Sequence, residues 1–148
     1  MEIDIGETHI RLKSDLYSHG LNDYISSIRA DLKQHIAHNQ DFLLSMNPIE
    51  SDDEDLPEIV RRMYESSFHA DVGPMACVAG TISELALDYL IGKGSKNSIV
   101  ENGGDIALVN DHKILCGIYS NNPILGMKSL LRLKKDMNRW EYALPLGK

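Results

Sequence analysis

The chain has 148 residues, 43% of them hydrophobic, and a formal net charge of −7. That size supports one hydrophobic core, so residues 1–148 read as a single domain. The charge argues against a nucleic-acid or anionic-membrane surface, since both need concentrated basic charge and the one basic stretch, residues 128–139, is short.

Ile3 and Ile5, then Ile10 and Leu12, alternate with polar residues on either side of Gly6-Glu7-Thr8, the period-two pattern of a β-hairpin with one wet face. From residue 22 to about 38, Ile25, Ile28, Leu32 and Ile36 recur at helical spacing, with Asn22 or Asp23 as the N-cap. The acidic run 50–55 reads as a solvated linker. Asp55 with Glu58 forms an Asp-x-x-Glu capping pattern for a second helix, which presents Ile59, Val60, Met63, Tyr64 and Phe68 on one side.

A third helix starts near Pro74 or Met75, buries Ile82, Leu85, Ala86, Tyr89 and Leu90, and stops at Gly92-Lys93-Gly94. Ser83, Glu84 and Asp88 interrupt its apolar run, which predicts a buried helix rather than a membrane span. Strands follow over 98–101, 105–109 and 114–119. The order of elements predicts an α+β fold. Cys77 and Cys116 show no C-x-x-C spacing, and no signal peptide precedes the first strand. A reduced, cytoplasmic protein is therefore expected, without a disulfide or zinc site.

Candidate chemistry concentrates between Asp71 and Asp105. The turn Asp71-Val72-Gly73-Pro74 leads into Ala76, Ala79 and Gly80, small residues that permit close backbone approach. The turn Glu101-Asn102-Gly103-Gly104-Asp105 pairs backbone N–H groups with acidic side chains, which suits an anionic or metal-bridged ligand. Each has a plainer alternative, a turn with a helix cap for the first and a hairpin turn for the second. His35 and His38 could set two imidazoles side by side for a metal, but without a third ligand they read as a solvated helix end. Cys77, close to a helix start, is either a nucleophile with a lowered pKa or a small packed side chain. The packed reading is preferred.

The succession D-V-G-P-M-A…A-G and I-V-E-N-G-G-D-I, separated by about a helix and a strand, resembles the ApbE-like superfamily, and within it a mostly archaeal branch of soluble proteins. The likeness extends loosely upstream through Pro57-Glu58-Ile59-Val60 and downstream to about Gly126. It implies an ApbE-like, T-fold-like sheet with packed helices. It also implies a flavin dinucleotide site with FAD or FMN and magnesium as cofactors. Asp71, Gly73, Asn102, Gly103, Gly104 and Asp105 would bind the cofactor, and the main-chain carbonyl of Ala76 would help hold the metal. The chain departs from the family pattern D-x-G-G-x-A-K-G at Pro74, which replaces the second glycine. It departs again at Cys77-Val78, which replaces Lys-Gly and removes a basic group that would neutralise phosphate.

Members of this branch continue into a second half with a strand, a G-I-C-T-S-S-G turn and a late metal motif. Residues 140–148 can be back-translated so that the neighbouring frame reads Gly-Ile-Cys-Thr-Ser-Ser-Gly-Lys. The expectation is a one-base frameshift near Arg139, an out-of-frame tail from Trp140 and a fold incomplete at its C-terminus. Uncovered sheet edges would then favour a homo-oligomer.

Two function classes follow from the resemblance. One is a magnesium-dependent enzyme that cleaves FAD and transfers FMN to a protein hydroxyl. The other is a binding or accessory protein for a small, flavin nucleotide-like ligand, without full transfer chemistry. The departures at Pro74 and Cys77-Val78, with the missing export signal and late motif, favour the second. The family also implies an accessory role in sulfur assimilation into homocysteine.

Overall fold

The computed structural model describes residues 1–16, 19–112 and 114, and the backbone of 115–117, 130–133 and 140–142. The expected opening hairpin is present as β1 (Glu2–Ile5) and β2 (Thr8–Ser14), paired so that Ile3 stands opposite Ile10. Gly6 takes a φ of 59° in its turn. Arg29 reaches from the first helix to hydrogen-bond Thr8 and Glu7, tying the hairpin to the helical layer.

Strands β3 (Ser98–Asn102) and β4 (Asp105–Val109) extend the sheet, and the backbone of β7 (Trp140–Tyr142) pairs with β4. The resulting antiparallel order is β1-β2-β3-β4-β7. The segment expected to leave frame at Trp140 thus supplies the backbone of the strand beside β4. The strand expected over 114–119 is described as β5 (Ile114–Gly117), paired with β6 (Leu130–Leu133) in a separate two-stranded sheet. The remainder of that expectation lies outside the described residues.

Helices cover one face of the larger sheet. These are α1 (Leu21–His38), α2 (Gln40–Leu44), α3 (Glu58–Ala70) and α4 (Val78–Gly92), the last preceded by a 3₁₀ turn over Pro74–Cys77. Strand alternation turns Ile3, Ile10, Leu12, Val100 and Ala107 toward them. There they meet Leu85, Ala86 and Leu90 of α4 and the buried faces of α1 and α3 in one core. The segment Pro74–Gly92 is long and apolar enough to cross a membrane by length and composition. Its position is that of a core helix, packed on β3, β4, α1 and α3. Together these layers form an α+β domain.

Four local expectations are corrected. Helix α1 begins at Leu21 with Gly20 as its N-cap and no side-chain cap. Asn22 and Asp23 therefore lie inside the first turn, where an acid still complements the helix dipole. Helix α3 is preceded by Pro57 in extended geometry, which leaves Asp55 two residues short of the capping position. Phe68 is exposed, and Ser67 takes the inward place, donating its hydroxyl to the Val72 carbonyl at 2.5 Å. Tyr89 is half-buried, stacked on Tyr24 with centroids 4.9 Å apart.

Candidate functional site

Asn102 and Asp105 stand opposite each other at the end of the β3–β4 ladder, leaving Gly103 and Gly104 as the connection. Their φ values of 62° and 105° belong to the region that favours glycine, and two consecutive positive φ angles match the twist of a two-residue hairpin. Glu101 accepts the Gly104 N–H at 2.8 Å. The plainer reading of this turn is therefore correct as conformation.

The alternation of side chains along the strands divides the four residues between two faces. Gly103 and Gly104 line a concavity of about 530 Å³ on the face of the sheet turned away from α1, α3 and α4, together with Asp4, His9, Arg11 and Glu101. The polar side chains there pair among themselves, His9 with Asp4 at 2.7 Å and Arg11 with Glu101 at 3.6 Å. Asn102 and Asp105 face the other way, onto the first turn of α4.

Here the small residues of α4 matter. The Asn102 amide, 5% exposed, donates to the Ala79 carbonyl at 3.2 Å. Ser83 Oγ donates to the Asp105 carbonyl at 3.4 Å. The Gly80 N–H hydrogen-bonds the Asp105 carboxylate, and a Cβ on Gly80 would lie 3.6 Å from Asp105 Oδ2, ordinary contact distance. Burial raises the Asp105 pKa against the opposing effect of the Gly80 N–H. A carboxyl thus sits at the start of a helix, where the backbone dipole favours its charge and desolvation disfavours it.

Cys77 is the residue before α4 and is half-buried. Burial first, and the Asp105 charge second, push its thiol upward. Desolvation and a neighbouring anion both disfavour a thiolate here, which supports the packed reading of Cys77 over the nucleophile.

Asp71 and Gly73 are engaged elsewhere. Asp71 closes α3 in the left-handed conformation, φ 55°, and the Val72 N–H reaches back to the Ser67 carbonyl at 3.1 Å. This is a helix C-terminal motif in which glycine or asparagine is commonest. Gly73 is buried, and a Cβ there would fall 1.8 Å from the Ser45 carbonyl oxygen, so glycine is demanded by the approach of the segment after α2. Ala76 is exposed in the 3₁₀ turn, its N–H donating to the Gly73 carbonyl at 3.0 Å. The two motifs are therefore joined through the 3₁₀ turn, with Asp71 and Gly73 toward α2 and α3, and Asn102 and Asp105 at α4.

Among the described residues, no group of three or more His, Cys, Asp and Glu side chains is placed to hold a metal ion. The two histidines of α1 are separately engaged. His38 contacts the Gln34 carbonyl at 2.9 Å, and His35 contacts the Tyr64 hydroxyl at 3.4 Å.

These features define a class, an α+β domain in which a Gly-Gly hairpin is seated on the first turn of a core helix. The chain belongs to the AbpE bacteria family, whose model matches residues 1–139, and this bears out the likeness to an ApbE-related family. It is 58% identical over 132 residues to a UPF0280 protein of Methanobrevibacter smithii, covering 89% of this chain and 56% of that protein. A UPF0280 protein of Methanothermobacter thermautotrophicus is 50% identical over 124 residues, covering 84% of this chain and 48% of the relative. One from Methanococcus maripaludis strain C6 is 41% identical over 146 residues, covering 97% and 58%. The chain spans about half the length of these curated relatives.

Proposed function

We propose that this chain binds a small, flavin nucleotide-like ligand beside the junction of the β3–β4 hairpin and α4, and acts as a binding or accessory protein without complete transfer chemistry. The observation that carries the reading is the half-buried Asp105 carboxyl facing the Gly80 N–H at the start of α4. A helix start supplies backbone donors for a phosphate, and a partly desolvated carboxyl can accept a hydrogen bond from a hydroxyl or share a cation with the phosphate. The Asn102 amide holds the first turn of α4 in register with the hairpin. The family likeness supplies FAD or FMN, with magnesium, as the ligands to try.

Binding and transfer are separable here. Cleavage of a pyrophosphate calls for charge stabilisation on the phosphoryl group. At the position where the family pattern has lysine, this chain has the half-buried Cys77 thiol, which is neutral when its pKa is raised. The protein should be equilibrated with FAD or FMN, with and without magnesium, and followed by flavin absorbance, fluorescence and FMN release. Saturable binding without FMN release supports the reading, and turnover replaces it with the transferase. Absence of binding to either flavin, with or without magnesium, removes the proposed ligand class.

A further inference from the structure

The flank formed by α2 and α3 carries apolar side chains that the core does not use. Phe42 fixes α2 in place: it is fully buried and packs edge-on against Tyr64 at 4.9 Å and His35 at 4.8 Å between centroids. Beyond it, the close approach of Ser45 to Gly73 brings the end of α2 beside the residues that follow α3. Phe68 follows Tyr64 by one helical turn on α3, five residues before Gly73. Leu44, Met46 and Phe68 are 70%, 84% and 66% exposed. Three large apolar groups gathered on one flank exceed the scattered exposure usual for a folded surface.

The loop leading from this flank to α3 carries Glu50, Asp52, Asp53, Glu54 and Asp55, all exposed, with no lysine or arginine among them. It lies against the same side of the molecule, since Ser51 hydrogen-bonds Tyr64 and the Asp53 charge acts on both Tyr64 and His35. The cations at the start of α3 are taken: Arg61 pairs with Glu58 and Glu65, and Arg62 with Glu58, Glu84 and Asp88. The acidic loop thus borders the apolar flank without salt bridges among the described residues.

We propose that this flank docks a basic amphipathic helix of a partner protein. Apolar anchors at helical spacing would cover Leu44, Met46 and Phe68, while flanking lysines and arginines meet the acidic loop. The charge selects this occupant. Nucleic acid and an anionic membrane are repelled, and a second copy docked flank to flank would bring the same acidic loop against itself.

The probe is a fluorescently labelled synthetic helix with leucine and tryptophan on one face and lysine and arginine on the other, titrated into the full chain and read by anisotropy. Saturable one-to-one binding is expected, weakened about tenfold or more by Met46→Ser with Phe68→Ser, a pair that leaves every charge in place. Asp52→Asn with Asp53→Asn should weaken it as well, and about 0.5 M salt should reduce the wild-type affinity. In the unaltered chain, the Met46 methyl resonance should move on titration, a readout independent of how the variants fold. Equal binding of a charge-matched helix with scattered apolar residues, an unmoved Met46 methyl, or a serine variant that binds like the wild type overturns the proposal. Self-association of the chain that the serine pair abolishes, seen in sedimentation, also overturns it by giving the flank to a second copy.

Discussion

The Asn102 side-chain amide donates to the Ala79 carbonyl across 3.2 Å, joining the tip of the β3–β4 hairpin to the first turn of α4. Nearly all of α4 lies between the two residues in sequence, so this contact, with those of Ser83 and Gly80 to Asp105, sets where the hairpin stops relative to the start of the helix. Asn102 is almost fully buried, and its removal strands a polar group at that junction. Asn102→Ala is expected to cost about 1–3 kcal/mol in urea denaturation, the range for losing a buried hydrogen-bond partner. A loss below about 0.5 kcal/mol would mean that the Asn102 amide is not what holds the hairpin against α4.

Asp71 and Gly73 are separated by one residue in the family pattern but should respond oppositely to substitution. Gly73→Ala forces a Cβ into the Ser45 carbonyl and should destabilise by about 3 kcal/mol, at the high end for overpacking, because backbone rather than a side-chain end must move. Asp71→Gly relieves a left-handed residue at the end of α3 and should stabilise by about 0.5–1 kcal/mol. Denaturation midpoints of the two variants measure both. If Asp71→Gly instead destabilises the chain, the left-handed cap is not what fixes that residue.

The elements with sustained periodicity were legible. The alternation in β1 and β2 and the helical spacing in α1 and α4 each report a face that the core must cover. Helix α2 was not, because a single inward side chain, Phe42, shows no period, and its burial depends on Tyr64 and His35, distant in sequence. Phe68 misled for the opposite reason. Its spacing from Tyr64 suits a buried helix face, but the end of α3 needs the Ser67 hydroxyl inward to meet the Val72 carbonyl. At the site, the small residues Ala79 and Gly80 signalled close approach without saying by what. That Asp105 fills the space follows from strand register, which turns Asn102 and Asp105 inward and leaves Gly103 and Gly104 on the far side.

Asp105 and Cys77 titrate as neighbours, which gives a paired expectation. The Asp105 pKa is raised by burial, so its protonated form is the one favoured by folding. Its contribution is fully present below the unfolded value of 3.8 and is lost as pH rises through the folded pKa. Asp105→Asn, which cannot ionise, should therefore gain in thermal midpoint relative to wild type as pH is raised from acid toward neutrality. The same substitution removes an anion that raises Cys77, so thiol alkylation near neutral pH should be slow in wild type and faster in the variant. A midpoint difference that is flat with pH, or an alkylation rate unaffected by the substitution, would remove the coupling.

His35 provides the pH response at the other end of the helical layer. Burial, with a smaller effect of His38, lowers its pKa, while Asp53 pulls the other way. The neutral ring is thus the form folding favours. The stability it contributes is present above the unfolded value of 6.5 and is lost as pH falls from there through the folded pKa. Because the ring packs against Phe42, which holds α2, the loss should appear first as local opening of α2. Hydrogen exchange at the Phe42 amide, corrected for intrinsic rates, is expected to lose protection as pH falls below the unfolded value of 6.5 while the amides of α4 keep theirs. Asp53→Asn removes the opposing attraction and should move the His35 titration, followed by its ring proton shifts, to lower pH. A titration that moves upward, or α2 protection that stays constant across this range, would show that the His35 ring does not govern the docking of α2.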